Sequence, residues 1–131
     1  MATIEDNKAL VSRYLAALSG KDKPRSVIDQ YISSADEELK QHIDMYEASF
    51  ARYELIADEM VAEADKVMIQ ARMVATHTGD LMGMLATGKK VDIAVALIYW
   101  IADGKIVRHW MLADSLTLMQ QLGMIPNPSG S

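Results

Sequence analysis

The sequence predicts an α+β fold: a cone-shaped, curved, mostly antiparallel four-stranded sheet covered by three N-terminal helices, with a short C-terminal helix. Three observations predict it. Apolar residues recur at helical spacing through the first third of the chain, the period changes to an extended one after Tyr53, and an Asp103-Gly104 pair marks a hairpin late in the sequence.

The first helix is expected over residues 5–19, where Leu10, Val11, Tyr14, Leu15 and Leu18 share one face and Gly20 ends it. A second begins near Pro24 and turns Val27, Ile28, Tyr31 and Ile32 inward. Ser34 followed three residues later by Glu37 reads as a capping box for the third, whose inward stripe is Leu39, Ile43, Tyr46 and Phe50. Strands are expected over 53–63, 66–78, 90–102 and 105–113, with turns at Ala64-Asp65 and Asp103-Gly104. In the second strand Val67, Ile69, Ala71, Met73, Ala75 and His77 share a face by alternation. Asp114 or Ser115 caps the last helix, which carries Leu116, Leu118, Met119 and Leu122 and stops at Gly123. Residues 1–125 form one domain, and 126–131, rich in Pro, Ser and Gly, read as a flexible tail.

Composition excludes several classes of function. A chain of 131 residues, half of them hydrophobic, buries one core. The net charge of −5 and the scatter of Lys and Arg leave no basic stripe for nucleic acid. The longest apolar run, from Ile93 to Ile101, is far short of the ~20 residues of a membrane helix. No cysteine is present and the acidic N-terminus does not resemble a signal peptide, so a cytoplasmic location is expected. The histidines, His42, His77 and His109, show no His-x-His or His-x-x-x-His spacing, and no metal site is expected. The lysines sit near turns or among polar neighbours, so none is expected to be desolvated enough for Schiff-base chemistry.

Two residues are candidates for acid–base chemistry. Alternation points His77 into the same space as Met73, either as a proton-transfer group or as a histidine satisfied by the backbone at the sheet edge. Asp114 either acquires a raised pKa against Trp110 and Leu112 or simply caps the helix after it. Candidate ligand contacts are Tyr14, Tyr46, Leu97, Trp100 and His109, with Met60, Met73 and Met111 among ten methionines that offer an adaptable lining, to which Met45 and Met84 also belong. His109 and Trp110 point to opposite faces, so one of them reaches the interior; Tyr99 and Trp100 pose the same choice.

The runs Thr76-His77-Thr78-Gly79-Asp80-Leu81-Met82-Gly83, Ala86-Thr87-Gly88-Lys89 and Ile101-Ala102-Asp103-Gly104-Lys105-Ile106-Val107-Arg108-His109-Trp110 resemble the SnoaL-like polyketide (ester) cyclase family of the nuclear transport factor 2-like superfamily. The closing 114–123 stretch, with Gln120-Gln121-Leu122-Gly123, extends the resemblance over roughly residues 5–125. It implies a helix-lined cone holding a small hydrophobic organic molecule, homodimers packed through the sheet, no cofactor, and an intramolecular aldol closure run by a buried aspartate and a histidine. Matched on the Asp-Gly hairpin, that aspartate falls at Met111 and that histidine at Leu97, neither of which moves a proton. The family's mechanism therefore does not carry over, which leaves a cofactor-independent proton-transfer enzyme of another kind or a non-catalytic hydrophobic-ligand binder. Ala51, Leu85 and Ala94 stand where related sequences often carry proline, and Trp100 where arginine is common, which implies a pocket made larger and more apolar.

Overall fold

The computed structural model of the chain describes residues 2–126. In chain order its elements are α1 (Ile4–Leu18), α2 (Arg25–Tyr31), a 3-10 turn (Ser34–Asp36), α3 (Glu37–Ser49), β1 (Glu54–Glu63), β2 (Lys66–Thr76), β3 (Lys90–Ala102), β4 (Lys105–Ala113) and α4 (Ser115–Leu122). The strands form one antiparallel sheet in the order β1-β2-β3-β4, so each neighbour in space is a neighbour in sequence. From residue 127 onward, the tail expected over 126–131 falls outside the described residues.

Alternation makes the sheet two-faced. In β3, Val91, Ile93, Val95, Leu97, Tyr99 and Ile101 are buried while the residues between them are not; in β2, Val67, Ile69, Ala71 and Met73 behave likewise. The helices cover this inner face with the stripes their spacing predicts: Leu10, Val11, Tyr14, Leu15 and Leu18 from α1, Ile28 from α2, and Leu39 and Ile43 from α3. Each fully buried aliphatic side chain here contributes about 1.5–3 kcal/mol. Register shifts interrupt the ladder between Ala57 and Glu59 and between Trp100 and Ile101, the kind of irregularity that locally raises a sheet's twist. On the outer face Arg72 bridges Asp58 and Asp92 at 3.2 and 3.1 Å.

Three boundaries differ from expectation. The third helix is capped by Asp36, whose Oδ1 accepts from the Leu39 N–H at 3.1 Å, and not by Ser34. Ser33 starts a separate 3-10 turn by accepting from Ala35 N–H, and the ionised carboxylate nearer the helix is the better partner for its first-turn donors. β1 begins at Glu54, because Tyr53 is still tied into a turn by its bond to the Phe50 carbonyl. β2 ends at Thr76, because the Thr78 and Gly79 N–H groups both donate to the Ser49 carbonyl and draw the chain off the sheet to the end of α3.

That crossing requires glycine. A Cβ at position 79 would sit 1.9 Å from the Ala48 carbonyl oxygen, a backbone atom that cannot swing away. Gly79→Ala is therefore expected to destabilise the protein by about 1–3 kcal/mol, the usual cost of overpacking, seen as a lowered denaturant midpoint. An unchanged midpoint would mean that the α3–loop contact is looser than described.

Candidate functional site

Between α3 and the inner face of β2, β3 and β4 the side chains fail to close, leaving a cavity of about 40 Å³ in which the centre of a water-sized sphere can move. Its walls are almost wholly apolar. Leu39, Ile43 and Tyr46 come from α3, Met73 from β2, Val95 and Leu97 from β3, and Met111 and Ala113 from β4. Larger hollows, such as one of about 350 Å³ beside Ala94, Ala96 and Leu112, are open to solvent on the outer face.

The polar groups of the cavity are few and specific. Tyr14 and Tyr99 are buried in its floor with ring centroids 5.6 Å apart, edge to face, and Tyr53 packs against Tyr46. Burial pushes the phenols of Tyr14, Tyr99 and Tyr53 well up from their ordinary value, so they remain protonated and apolar in character. The remaining polar lining residue is His42, and among the described residues no carboxylate lines the cavity. His42 lies on the α3 stripe with Leu39, Ile43 and Tyr46, and its Nδ1 is buried without a hydrogen-bond partner among the described residues.

His42 has company at the rim. The His109 ring stands edge-on to it, 5.4 Å away at 87°. His109 Nδ1 donates to Asp36 Oδ2 at 2.7 Å, a contact spanning 73 residues of sequence, and both side chains are less than one-tenth exposed. One buried carboxylate thus caps α3 through Oδ1 and holds a β4 histidine through Oδ2.

Five of the residues expected to meet a ligand or substrate come together at this cavity: Tyr14, Tyr46, Met73, Leu97 and Met111. The other five do not. His77 is fully buried beneath the end of β2, packed on Phe50 at 5.4 Å, where Nδ1 accepts from the Thr87 N–H and pairs with the Thr87 hydroxyl. It pins the 77–89 loop, since its backbone also bonds Lys89 and Gly88. Asp114 is exposed and caps α4, accepting from Thr117 N–H at 3.1 Å and the Thr117 hydroxyl at 2.6 Å. The Thr117 hydroxyl and amide lower its pKa, the opposite of the rise that burial would give. Met60 faces Ser12 of α1, away from the cavity. Trp100 lies on the outer face under the Arg108 guanidinium, 4.3 Å from the ring, because Tyr99 takes the inward position. His109 is inward, Trp110 outward and 45% exposed, yet His109 sits behind His42 and not in the wall.

Other expectations also need correction. Met45 is 54% exposed on the far side of α3, and Met84 belongs to the 77–89 loop. Ala51 and Leu85 are exposed and Ala94 faces outward, so with Trp100 none of the four unusual positions shapes the cavity. Lys23 is buried, a placement its polar sequence neighbours did not signal: its side chain is 2% exposed, 4.1 Å over the Tyr53 ring, and burial lowers its pKa. It spends its three protons on Glu47, the Lys21 carbonyl and the Tyr53 carbonyl, which makes it a staple and not a nucleophile. His42, Asp36 and Tyr53 were not singled out by sequence as site residues; the helical spacing of His42 from Leu39 and Tyr46 is the signal that would have placed it on the inward stripe.

A family model for the SnoaL-like polyketide cyclases matches residues 33–122. Among solved structures, AclR from Streptomyces galilaeus superposes with a TM-score of 0.83 at 25% identity, over 95% of this chain and 85% of its own. A SnoaL-like polyketide cyclase-type protein from Jannaschia sp. CCS1 gives 0.82 at 21% identity, over 96% and 98%. TsrD from Streptomyces laurentii gives 0.81 at 22%, over 95% and 100%. The last two likenesses, below 25% identity, concern the fold alone. No curated protein sequence matches this one significantly.

The tyrosine floor has a consequence at high pH. Because burial raises the Tyr14, Tyr53 and Tyr99 pKa values above the ordinary 10.0, the stability they contribute is complete below about pH 10 and is lost as pH rises through the folded-state values. In an alkaline titration, the tyrosinate absorbance of these three should appear only together with loss of the circular dichroism signal. Full tyrosinate absorbance from a chain that keeps its fold would contradict the burial described.

Proposed function

The chain belongs to the SnoaL-like polyketide cyclase family, and from that premise we propose that its cavity takes up a small, predominantly apolar organic molecule carrying one hydrogen-bonding oxygen, without the aldol closure that the resemblance implies for the cyclases. One observation carries this reading. Leu97 and Met111, the positions matched to the cyclase histidine and aspartate, are register partners across β3 and β4 and face the same apolar space. At these two positions the isobutyl and thioether groups bind by burial and offer no base to remove a proton from carbon.

The ligand's chemistry follows from the lining. The buried, unpartnered Nδ1 of His42 is costly until a guest satisfies it, so a carbonyl or hydroxyl at that end is favoured over pure hydrocarbon. Size is limited as well. A benzene-sized guest needs about 150 Å³, and the cavity holds about 40 Å³. Entry therefore requires the flexible Met73 and Met111 side chains to swing aside, which unbranched thioethers do at low cost. Proton transfer by His77 and Asp114 finds no support in their positions, one buried against Phe50 and the other capping α4.

The homodimer implied by the resemblance is supported by the outer face of the sheet, where Val61, Met68, Trp110 and Leu112 are between 40% and 63% exposed. Among the described residues no helix is long and apolar enough to cross a membrane, and the cytoplasm is the proposed compartment, supported by a sequence without cysteine.

Acetophenone and ethylbenzene, nearly the same shape, test the reading in EDTA-treated protein by ligand-dependent thermal stabilisation. Both should stabilise the fold, the ketone by a margin equivalent to about 2–10-fold in affinity, the worth of one hydrogen bond. His42→Phe should erase that margin while leaving ethylbenzene binding intact. No stabilisation by either compound would overturn the proposal.

A further inference from the structure

We propose that Glu38, His42 and His109 form a binding site for a divalent transition metal of the zinc class at the rim of the cavity, with Asp36 as the outer partner that orients His109. Glu38 and His42 stand one turn apart on α3, and His109 arrives from β4, far away in sequence, so no local spacing signals the set. Glu38 Oε1 lies 3.9 Å from both His42 Nε2 and His109 Nε2, and one ligand atom from each of the three residues falls within 4.8 Å of the others. Tetrahedral zinc with bonds of about 2.0–2.1 Å holds its ligand atoms roughly 3.4 Å apart. Glu38, whose side chain is 73% exposed, is free to turn inward, and the rest of the contraction falls on the two imidazoles.

The imidazole at the centre of the set is already oriented. Nδ1 donates to the Asp36 carboxylate at 2.7 Å, which leaves Nε2, the atom that faces Glu38, as the ring nitrogen available to a metal. A carboxylate behind a histidine in this manner is the arrangement that fixes tautomer and raises basicity in metal sites. Two imidazoles and one carboxylate suit zinc and its neighbours over calcium or magnesium, and three protein ligands leave a fourth position for water or a guest atom.

The site also bears on ligand recognition, and on this point alone it rests on the function proposed above. A metal on His42 Nε2 fixes the ring proton on Nδ1, and so holds the ring in the tautomer whose buried, unpartnered nitrogen donates to a carbonyl oxygen.

The experiment uses the whole chain with no organic guest present, so its failure is distinct from failure of the pocket reading, which is tested in EDTA. Isothermal titration with Zn²⁺ should show one ion per chain, and Co²⁺ should give the visible absorption of a low-coordinate nitrogen and oxygen site. Glu38→Gln, at an exposed position where folding is not at issue, and His42→Ala should each reduce Zn²⁺ affinity by at least tenfold. Asp36→Asn keeps a good helix cap and should weaken binding about 10–100-fold, the usual effect of removing an outer-shell partner. No binding at millimolar Zn²⁺, or affinity unchanged in both Glu38→Gln and His42→Ala, would overturn the proposal.

Discussion

A single buried carboxylate ties the start of α3 to the sheet. Asp36 satisfies the first turn of α3 with one oxygen and grips His109 of β4 with the other, in a site where both side chains are almost closed to water. Nearby, the Ser33 N–H donates to the Ile106 carbonyl and Ile32 bridges the same strand residue. Together these contacts dock the start of α3 against β4, and the rest of α3 then leans over β2 and β3. At the other end of α3, Ser49 receives Thr78 and Gly79, so the helix is anchored at both ends with the cavity beneath its middle. A helix fixed in this way cannot settle further onto the sheet, and the gap under Ile43 and Tyr46 persists for that reason.

The composition of the gap is close to uniform. Leu97 and Met111 face each other in register, and with both apolar the wall is consistent with itself. The tyrosines beneath stay protonated and supply ring surface more than hydrogen bonds. What polarity exists is gathered at one end, in His42 and the His109–Asp36 pair behind it. The gap is thus an oily chamber with one polar corner, the feature on which the proposed binding rests.

The fold was largely legible because it is written in periodicities. Alternation in β2 and β3 and the α1 stripe fixed which residues are buried, and Asp103-Gly104 fixed the last hairpin; Asp103 takes φ 51° and Gly104 φ 75°, as a tight turn requires. The site was legible only where one strand or helix supplied it. Met73 followed from alternation in β2, and Leu97 and Met111 from the resemblance matched on the Asp-Gly hairpin, whereas the Asp36–His109 contact joins residues whose proximity depends on how α3 docks, information that no local pattern carries. His77 misled for a definable reason: alternation correctly pointed it inward, but the interior at that end is filled by Phe50 and the 77–89 loop, so an inward direction was not a route to a pocket. Asp114 misled because capping and catalysis call for the same residue type at the same place, and Thr117 settles the choice in favour of the cap.

The account turns on a guest lodging between α3 and the sheet, and the methionines report on that directly. With methyl-labelled methionine and added acetophenone, the nuclear magnetic resonance signals of Met73 and Met111, which line the cavity, should shift, while those of Met45, Met68 and Met82, exposed elsewhere, should not. Shifts confined to Met68 on the outer face, with Met73 and Met111 unmoved, would show that small molecules bind the sheet's exterior and would contradict the central claim.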